Sequence, residues 1–339
     1  VLPALKRERL EQYQLLVYLA AIGCGLIVGT ALPSARSVLE AALRPVLGLL
    51  LYATFTQVPL THVRDALADG RFVLAAVIGN FLIVPVMVYG AMHLLPADPA
   101  IRFGVLLVLL VPCTDWFITF THLGGGDTRH AIAFSPISLL LQVVLLPIYL
   151  WLFLGQTFVI TAARKEMLVS FVTLILLPLA AAFITERWVE RRAERGRLLE
   201  CLAWCPIPLL AVVVFVIAAT QVHLVADSYE VLGGLLVIYV AYLAAAALAA
   251  RVLAGWFRLP ASQGRVMAFS LGTRNSFVVL PLALALPPIY AVATVAIVFQ
   301  SLVELLGMVA YLWLVPRVLF PASSEASLRG DTTGNTLRP

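Results

Sequence analysis

Ten apolar runs, each long enough to cross a bilayer and each closed by charge, proline or glycine, fill most of this chain of 339 residues. They lie at roughly 13–32, 39–60, 71–95, 101–122, 130–155, 166–185, 203–223, 230–250, 263–286 and 288–315. A spanning helix takes about 20 residues. Lipid offers no hydrogen bonds, so a run of that length must close its backbone bonds internally, as a helix. Composition agrees: 62% of residues are hydrophobic, 12% are charged and the mean hydropathy is +1.00, whereas a soluble domain carries about 25% charged residues. This excludes a soluble enzyme, a nucleic-acid-binding module and a disordered scaffold, despite the net charge of +5. The fold class read from the sequence is an all-α polytopic membrane protein with ten transmembrane helices.

Lys and Arg sort by side. With these spans, 17 of the 23 fall at the two chain ends and in the even-numbered loops, and 5 in the odd-numbered loops. The remaining one, Arg274, lies deep inside a span. Cytoplasmic loops carry the excess of Lys and Arg, so both ends are expected in the cytoplasm of a cell with the protein in its plasma (inner) membrane. The first apolar run is already span-length and is not followed by a small-residue cleavage site, so it is expected to stay in the protein. The polar stretch 321–339 is expected to be a disordered cytoplasmic tail.

Ten spans divide into two fives, and an odd number per half requires the second half to enter the membrane upside down, a hallmark of secondary transporters. The expected organisation is residues 1–162 as a first five-helix repeat and 163–320 as its inverted counterpart. Three weak correspondences support it. Thr56-Gln57-Val58 and Thr220-Gln221-Val222 lie 164 apart, Pro112-Cys113-Thr114-Asp115 and Gly272-Thr273-Arg274-Asn275 lie 160 apart, and Gln142 and Glu304 lie 162 apart.

Spans 4 and 9 are interrupted by polar residues at mid-depth, so they are expected to be discontinuous helices that cross. Pro112 removes a backbone donor, and Cys113, Thr114 and Asp115 follow it. In span 9, Gly272 and Asn275 tolerate unusual dihedrals, and Arg274 places a full charge in the membrane. Such breaks survive only where protein or a water-filled cavity covers them, and paired breaks in matching halves point to a transport site. Asp115 and Arg274 each cost roughly 3 kcal/mol to insert, so they are expected to face each other, either as a structural ion pair or with Asp115 as a proton or cation carrier tuned by Arg274. Glu304 is a third charge within a span, readable as a packing residue or as a relay. Cys113 reads either as a small core residue or as a single-thiol ligand for a soft substrate. His122 is expected at the cytoplasmic mouth, and Gly124-Gly125-Gly126 reads as a span-terminating turn. Cys24, Cys113, Cys201 and Cys205 form no disulfide framework, and Cys201 and Cys205 read as small buried residues.

Pro112-Cys113-Thr114 after an apolar run, with Gly126-Asp127 beyond it, resembles span 4 of the arsenical-resistance-3 type arsenite permeases, within the bile acid:sodium symporter superfamily. Asn275-Ser276-Phe277 resembles that family's span 9 break, and Val303-Glu304 its acidic position in span 10. The resemblance runs over about 13–320. It implies a ten-span fold with a panel and a core, spans 4 and 9 crossing in the core. It also implies efflux of arsenite or antimonite as neutral trihydroxide in exchange for protons, with Cys113 as the metalloid ligand. The chain departs from the family in having Val278 where the family has Glu, and in having Asp115 and Arg274.

The first functional reading is therefore a secondary transporter exporting arsenite or antimonite by proton antiport. Cys113, Thr114, Arg274, Asn275 and Ser276 contact the substrate, and Asp115 and Glu304 carry the coupling ion. The alternative is a sodium-coupled symporter of a small organic anion, in which Arg274 binds the anion and Thr114, Asn275, Ser276 and Glu304 supply oxygens for sodium. No cofactor and no resident metal are expected. The absence of HExxH, of GxSxG and of a Ser–Lys pair at a break argues against an enzyme.

Overall fold

The computed structural model describes residues 2–59, 69–114, 116–161, 169–192, 195–220 and 229–321. The stretch 322–339 and the expected boundary between the two halves at 162–163 lie outside the described residues. Those described form an all-α polytopic membrane protein. Their only β-type pairing is an isolated antiparallel bridge between Pro112 and Arg274. Seven of the helices are long and apolar enough to cross a membrane: Pro33–Phe55, Gly70–Met92, Thr128–Phe153, Val169–Glu190, Gly196–Thr220, Val231–Trp256 and Pro288–Leu319. The remaining expected positions hold a shorter apolar stretch, Leu16–Ala31, and two helices cut near the middle.

In chain order the helices are α1 (Leu2–Ala31), α2 (Arg36–Phe55), α3 (Gly70–Ile78), α4 (Val84–Met92), α5 (Pro99–Leu110), α6 (Trp116–Leu123) and α7 (Thr128–Thr161). They continue with α8 (Leu177–Glu190), α9 (Gly196–Leu202), α10 (Pro206–Thr220), α11 (Tyr229–Trp256), α12 (Ala261–Gly272), α13 (Ser276–Leu284) and α14 (Ala291–Leu314). Two packing groups result. Helices α1, α2, α8 and α10 pack on one another. Helices α3 to α7 and α11 to α14 form the larger group, and α13 against α2 and α1 against α14 join the two.

The α1–α10 contact depends on two glycines one turn apart. A Cβ at Gly25 would stand 2.4 Å from the Phe215 carbonyl oxygen, and one at Gly29 would stand 2.2 Å from that of Ala219. With no hydrophobic drive between helices in lipid, small residues allow the close approach that van der Waals packing needs.

Prolines shape the larger group. Pro85 has no N–H for the carbonyl of Phe81, four residues back, and the chain widens into a π turn over Gly79–Ile83. The Tyr149 hydroxyl donates to the freed Phe81 carbonyl. Proline-induced π turns re-aim the side chains they carry, and this one carries Asn80.

At one end of this group, three helix starts are tied together. Asp69 caps α3 by accepting from Phe72 N–H. The same carboxylate accepts from Gln263 of α12 at 2.8 Å and lies 3.2 Å from His130 Nε2 of α7. Asp127 lies 2.9 Å from the other nitrogen of that ring. Partial burial works to raise the Asp69 pKa, but the bonds from Phe72, Gln263 and His130 outweigh it and hold the carboxyl below its ordinary value.

Candidate functional site: the crossing of two broken helices

Helix α5 begins on a strong cap, with the Asp98 carboxylate accepting from Ala100 and Ile101 N–H and Pro99 at its first position. It ends at Val111, whose backbone is extended (φ −105°, ψ 108°). Pro112 explains the stop, because its ring disfavours helical geometry at the preceding residue and it has no N–H to continue the ladder. Helix α12 begins after Pro260 and ends at Thr273, also extended (φ −100°, ψ 139°). Asn275 then starts α13, its side-chain oxygen accepting from Val278 N–H at 3.3 Å. An asparagine that caps the next helix offers the backbone an alternative to continuing the last one.

The two extended pieces lie against each other. Cys113 N–H donates to the Thr273 carbonyl at 3.3 Å, and Asn275 N–H donates to the Val111 carbonyl at 2.8 Å. Backbone groups that the breaks release are thus satisfied by the other break, which is what an apolar surrounding requires. Cys113, Thr114, Thr273, Arg274, Asn275 and Ser276 are all buried there. Asn275 Nδ2 donates to Thr114 Oγ1 at 3.4 Å, and the Ser135 hydroxyl of α7 donates to the Thr114 carbonyl. The structure therefore brings together the five residues expected to contact substrate. Asp115 lies outside the described residues.

Arg274 has partners that the sequence did not suggest. Its guanidinium donates to Asn80 Oδ1 at 2.9 Å and to the carbonyls of Ser270 (2.8 Å), Leu271 (3.0 Å) and Leu109 (3.4 Å). The Tyr242 ring lies 5.7 Å away, face toward the cation. The side chain is 3% exposed, so the positive charge sits in a cage of oxygens and one aromatic face. Helix ends supply part of that cage, since the last carbonyls of α5 and α12 have no helical donors left. Asn80 also donates to Ser270 Oγ at 3.0 Å, which fixes its amide.

Glu304 of α14 joins the site through the backbone. One carboxylate oxygen accepts from Arg274 N–H at 2.8 Å and from Gln300 Nε2 at 2.7 Å. Gln300 Oε1 in turn accepts from Ser276 Oγ at 2.7 Å. Glu304 thus reaches the crossing, and Gln300 bridges it to Ser276.

Two crevices flank the crossing, both between the two packing groups. One, of about 380 Å³, is lined by Gln14, Gln57 and Ile207 on one side and by Trp116, Thr119 and Ile132 on the other. The second, of about 490 Å³, is lined by Arg36, Glu40 and Thr220 on one side and by Leu284, Pro288 and Thr294 on the other. Arg36 and Glu40 begin α2 and Gln57 follows its end, while Ile207 begins α10 and Thr220 ends it. The crevices therefore open at opposite ends of these helices. Trp116 stacks on Tyr18 of α1, with centroids 5.9 Å apart, and tilts against Phe277 of α13 at 5.5 Å.

His122 lies in the last turn of α6, and the glycines after it are the expected turn. Gly126 N–H bonds to the Thr121 carbonyl and Gly125 N–H to that of His122, with Gly125 left-handed at φ 65°. That is a Schellman ending. None of the four cysteines is in a disulfide, and Cys201 is exposed and Cys205 half-buried rather than part of a core. Among the described residues no group of three or more His, Cys, Asp or Glu is placed to hold a metal ion.

Sequence reasoning missed Asn80, Trp116 and Tyr242. Asn80 gave a signal, as the one amide in an otherwise apolar span. Trp116 and Tyr242 gave none, because aromatics are ordinary in spans.

This geometry can be set beside known proteins. The chain is 23% identical over 170 residues to a protein of Bacillus subtilis (strain 168) described as the uncharacterized sodium-dependent transporter YocS. The match covers 50% of this chain and 52% of that protein, so the chain spans about half the length of that relative. Residues 44–228 match the Sodium Bile acid symporter family. That match covers more than half of the chain and includes the first break with its flanking helices, and on it the chain belongs to the Sodium Bile acid symporter family.

Proposed function

We propose that this protein is a secondary transporter working by alternating access, and that it exports arsenite or antimonite as neutral trihydroxide in exchange for protons. The observation that carries the transporter reading is the backbone pairing of two interrupted helices between crevices at opposite ends of α2 and α10. Broken helices at mid-depth are where transporters of inverted-repeat design hold their cargo. Cys113 and Asn275 are 162 positions apart, as are Val111 and Thr273, so the two backbone bonds exchange places when the halves are exchanged. This supports residues 1–162 and 163–320 as inverted repeats. With positive charge inside, the Gln57 crevice faces the cytoplasm and the Glu40 crevice the outside.

The neutral substrate is supported by how Arg274 is used. Its two terminal nitrogens are solvated by Asn80 and three carbonyls, so the protein's own oxygens hold the cation in place without an anionic cargo. Cys113 offers one soft ligand at the crossing, enough to capture trivalent arsenic and weak enough to release it. Asp115 and Glu304 are the carboxylates that exchange the proton.

One observation favours a second reading, the sodium-coupled import of a small organic anion. A crevice of about 380 Å³ is of the size that binds organic ligands and larger than a trihydroxide needs. The relative in Bacillus subtilis is described as sodium-dependent. Here Thr114, Asn275, Ser276 and Glu304 would furnish the sodium ligands.

Everted membrane vesicles separate the two. Arsenite accumulation driven by a pH gradient, abolished in Cys113→Ser and in Asp115→Asn while both variants still insert, is the expected result. Accumulation that is unchanged in both variants would refute the first reading. Sodium-driven uptake of an organic anion into intact cells, without arsenite flux, would establish the second.

A further inference from the structure

Among the buried polar groups that lack a hydrogen-bond partner in the described residues, two stand together on one face of α7. Both amide atoms of Gln142 and, one turn earlier, the hydroxyl of Ser138 bond to nothing. Gln142 is 2% exposed and Ser138 0%. Leaving a buried polar group without a partner is costly, and such groups call for a water, an ion or a ligand.

The crossing shows what is missing. The shift of 162 positions that exchanges its two backbone bonds also takes Pro112 to Arg274, Thr114 to Ser276, Ser138 to Gln300 and Gln142 to Glu304. In the second half these residues form a closed chain: Ser276 to Gln300, Gln300 to Glu304, and Arg274 N–H to Glu304. In the first half Pro112 has no N–H to offer. Ser138 is three heavy atoms shorter than Gln300 and makes no bond to Gln142. Gln142 keeps the position of Glu304 and has lost both partners. The absent group must donate to Gln142 Oε1, accept from its Nε2 and reach the Ser138 hydroxyl. A hydroxyl oxygen carrying hydrogen does all three, and one water occupies about 30 Å³ in the liquid.

We propose that Ser138 and Gln142 form a binding site for one hydroxyl-bearing ligand, either a water molecule or a hydroxyl of the transported solute. The inference rests on the correspondence between the halves, not on which solute is carried. The ligand completes in the first half the network that side chains complete in the second.

The test is electron cryomicroscopy of the full chain in nanodiscs, at a resolution that shows ordered water, for the wild type and for Ser138→Gln. Each is imaged with and without saturating sodium arsenite as the probe. Density bonded to the Gln142 amide in the wild type, displaced by the introduced side chain in Ser138→Gln, is the expected result. Density that stays the same with arsenite identifies water, whereas density that strengthens to that of a heavy scatterer identifies the solute. Wild-type density is decisive even where the variant fails to fold. An empty site in the wild type, or a Gln142 amide bonded to protein groups, would overturn the proposal. Failure of arsenite to bind anywhere refutes the arsenite reading and leaves the water density to decide this site on its own.

Discussion

Replacing Asn80 by alanine removes two of the bonds that hold the crossing. One is the acceptor for the Arg274 guanidinium at 2.9 Å; the other is the donor to Ser270 Oγ at 3.0 Å. A hydrogen bond to a charged group is worth about 1.5–3 kcal/mol and a neutral one about 1 kcal/mol. Arg274 keeps three carbonyl acceptors, so the charge is not left bare and the lower half of that range applies to its bond. The expected loss is therefore about 2–4 kcal/mol, read by reversible unfolding in mixed micelles of dodecyl sulfate and a mild detergent. Asn80→Asp supplies the control. It keeps an oxygen for the guanidinium and adds opposite charge, so it should retain more stability than Asn80→Ala. Were Asn80→Ala to lose less than about 0.5 kcal/mol, or Asn80→Asp to fall below it, the oxygen cage would not be what keeps Arg274 in the membrane.

Three further perturbations follow from other contacts. Glu304→Leu strands the Arg274 N–H and the Gln300 amide and should cost about 2–5 kcal/mol, whereas Glu304→Gln keeps an acceptor and should cost less than half of that in the same unfolding assay. Gly29→Val drives a side chain into the backbone of α10, 2.2 Å from the Ala219 carbonyl oxygen; overpacking of about 1–3 kcal/mol should lower the unfolding temperature, while Gly23→Val, with open space around it, should not. The depressed pKa of Asp69 means that the folded state binds its proton less readily than the unfolded chain does. Its stabilisation is complete above the ordinary value of 3.8 and fades as pH falls through the lower folded value. With the side chain 38% exposed the contribution stays under about 1 kcal/mol, and Asp69→Asn should lower the unfolding temperature slightly at pH 7 and flatten its drop below pH 4.

Much of the fold is written locally in the sequence, and the site only in part. The breaks at 111–114 and 272–275 are legible because their causes are local: Pro112 stops its helix, and Asn275 caps the next one. Burial of Cys113, Thr114, Asn275 and Ser276 follows from the same signals. The environment of Arg274 is not local. Asn80 is 194 positions away and reaches the guanidinium from a π turn that Pro85 imposes. Three other acceptors are backbone carbonyls, which no residue identity announces. Side-chain charges are what a sequence displays, and a carbonyl cage carries none. The crevices were equally hidden, since Gln14, Gln57 and Trp116 come from separate helices and share no pattern along the chain. The GGG turn was legible, because only glycine takes the left-handed geometry of Gly125 at low cost.

The most direct test of the account is whether the two crevices open in alternation. Single cysteines at Gln57 and at Glu40, in a chain with Cys24, Cys201 and Cys205 changed to serine, are labelled with a membrane-impermeant thiol reagent applied from both faces, with and without saturating transported solute. Opposite changes are predicted, with one position gaining reactivity as the other loses it. Reactivity that rises or falls together at both positions, or that ignores the solute, would contradict a carrier that turns on this crossing.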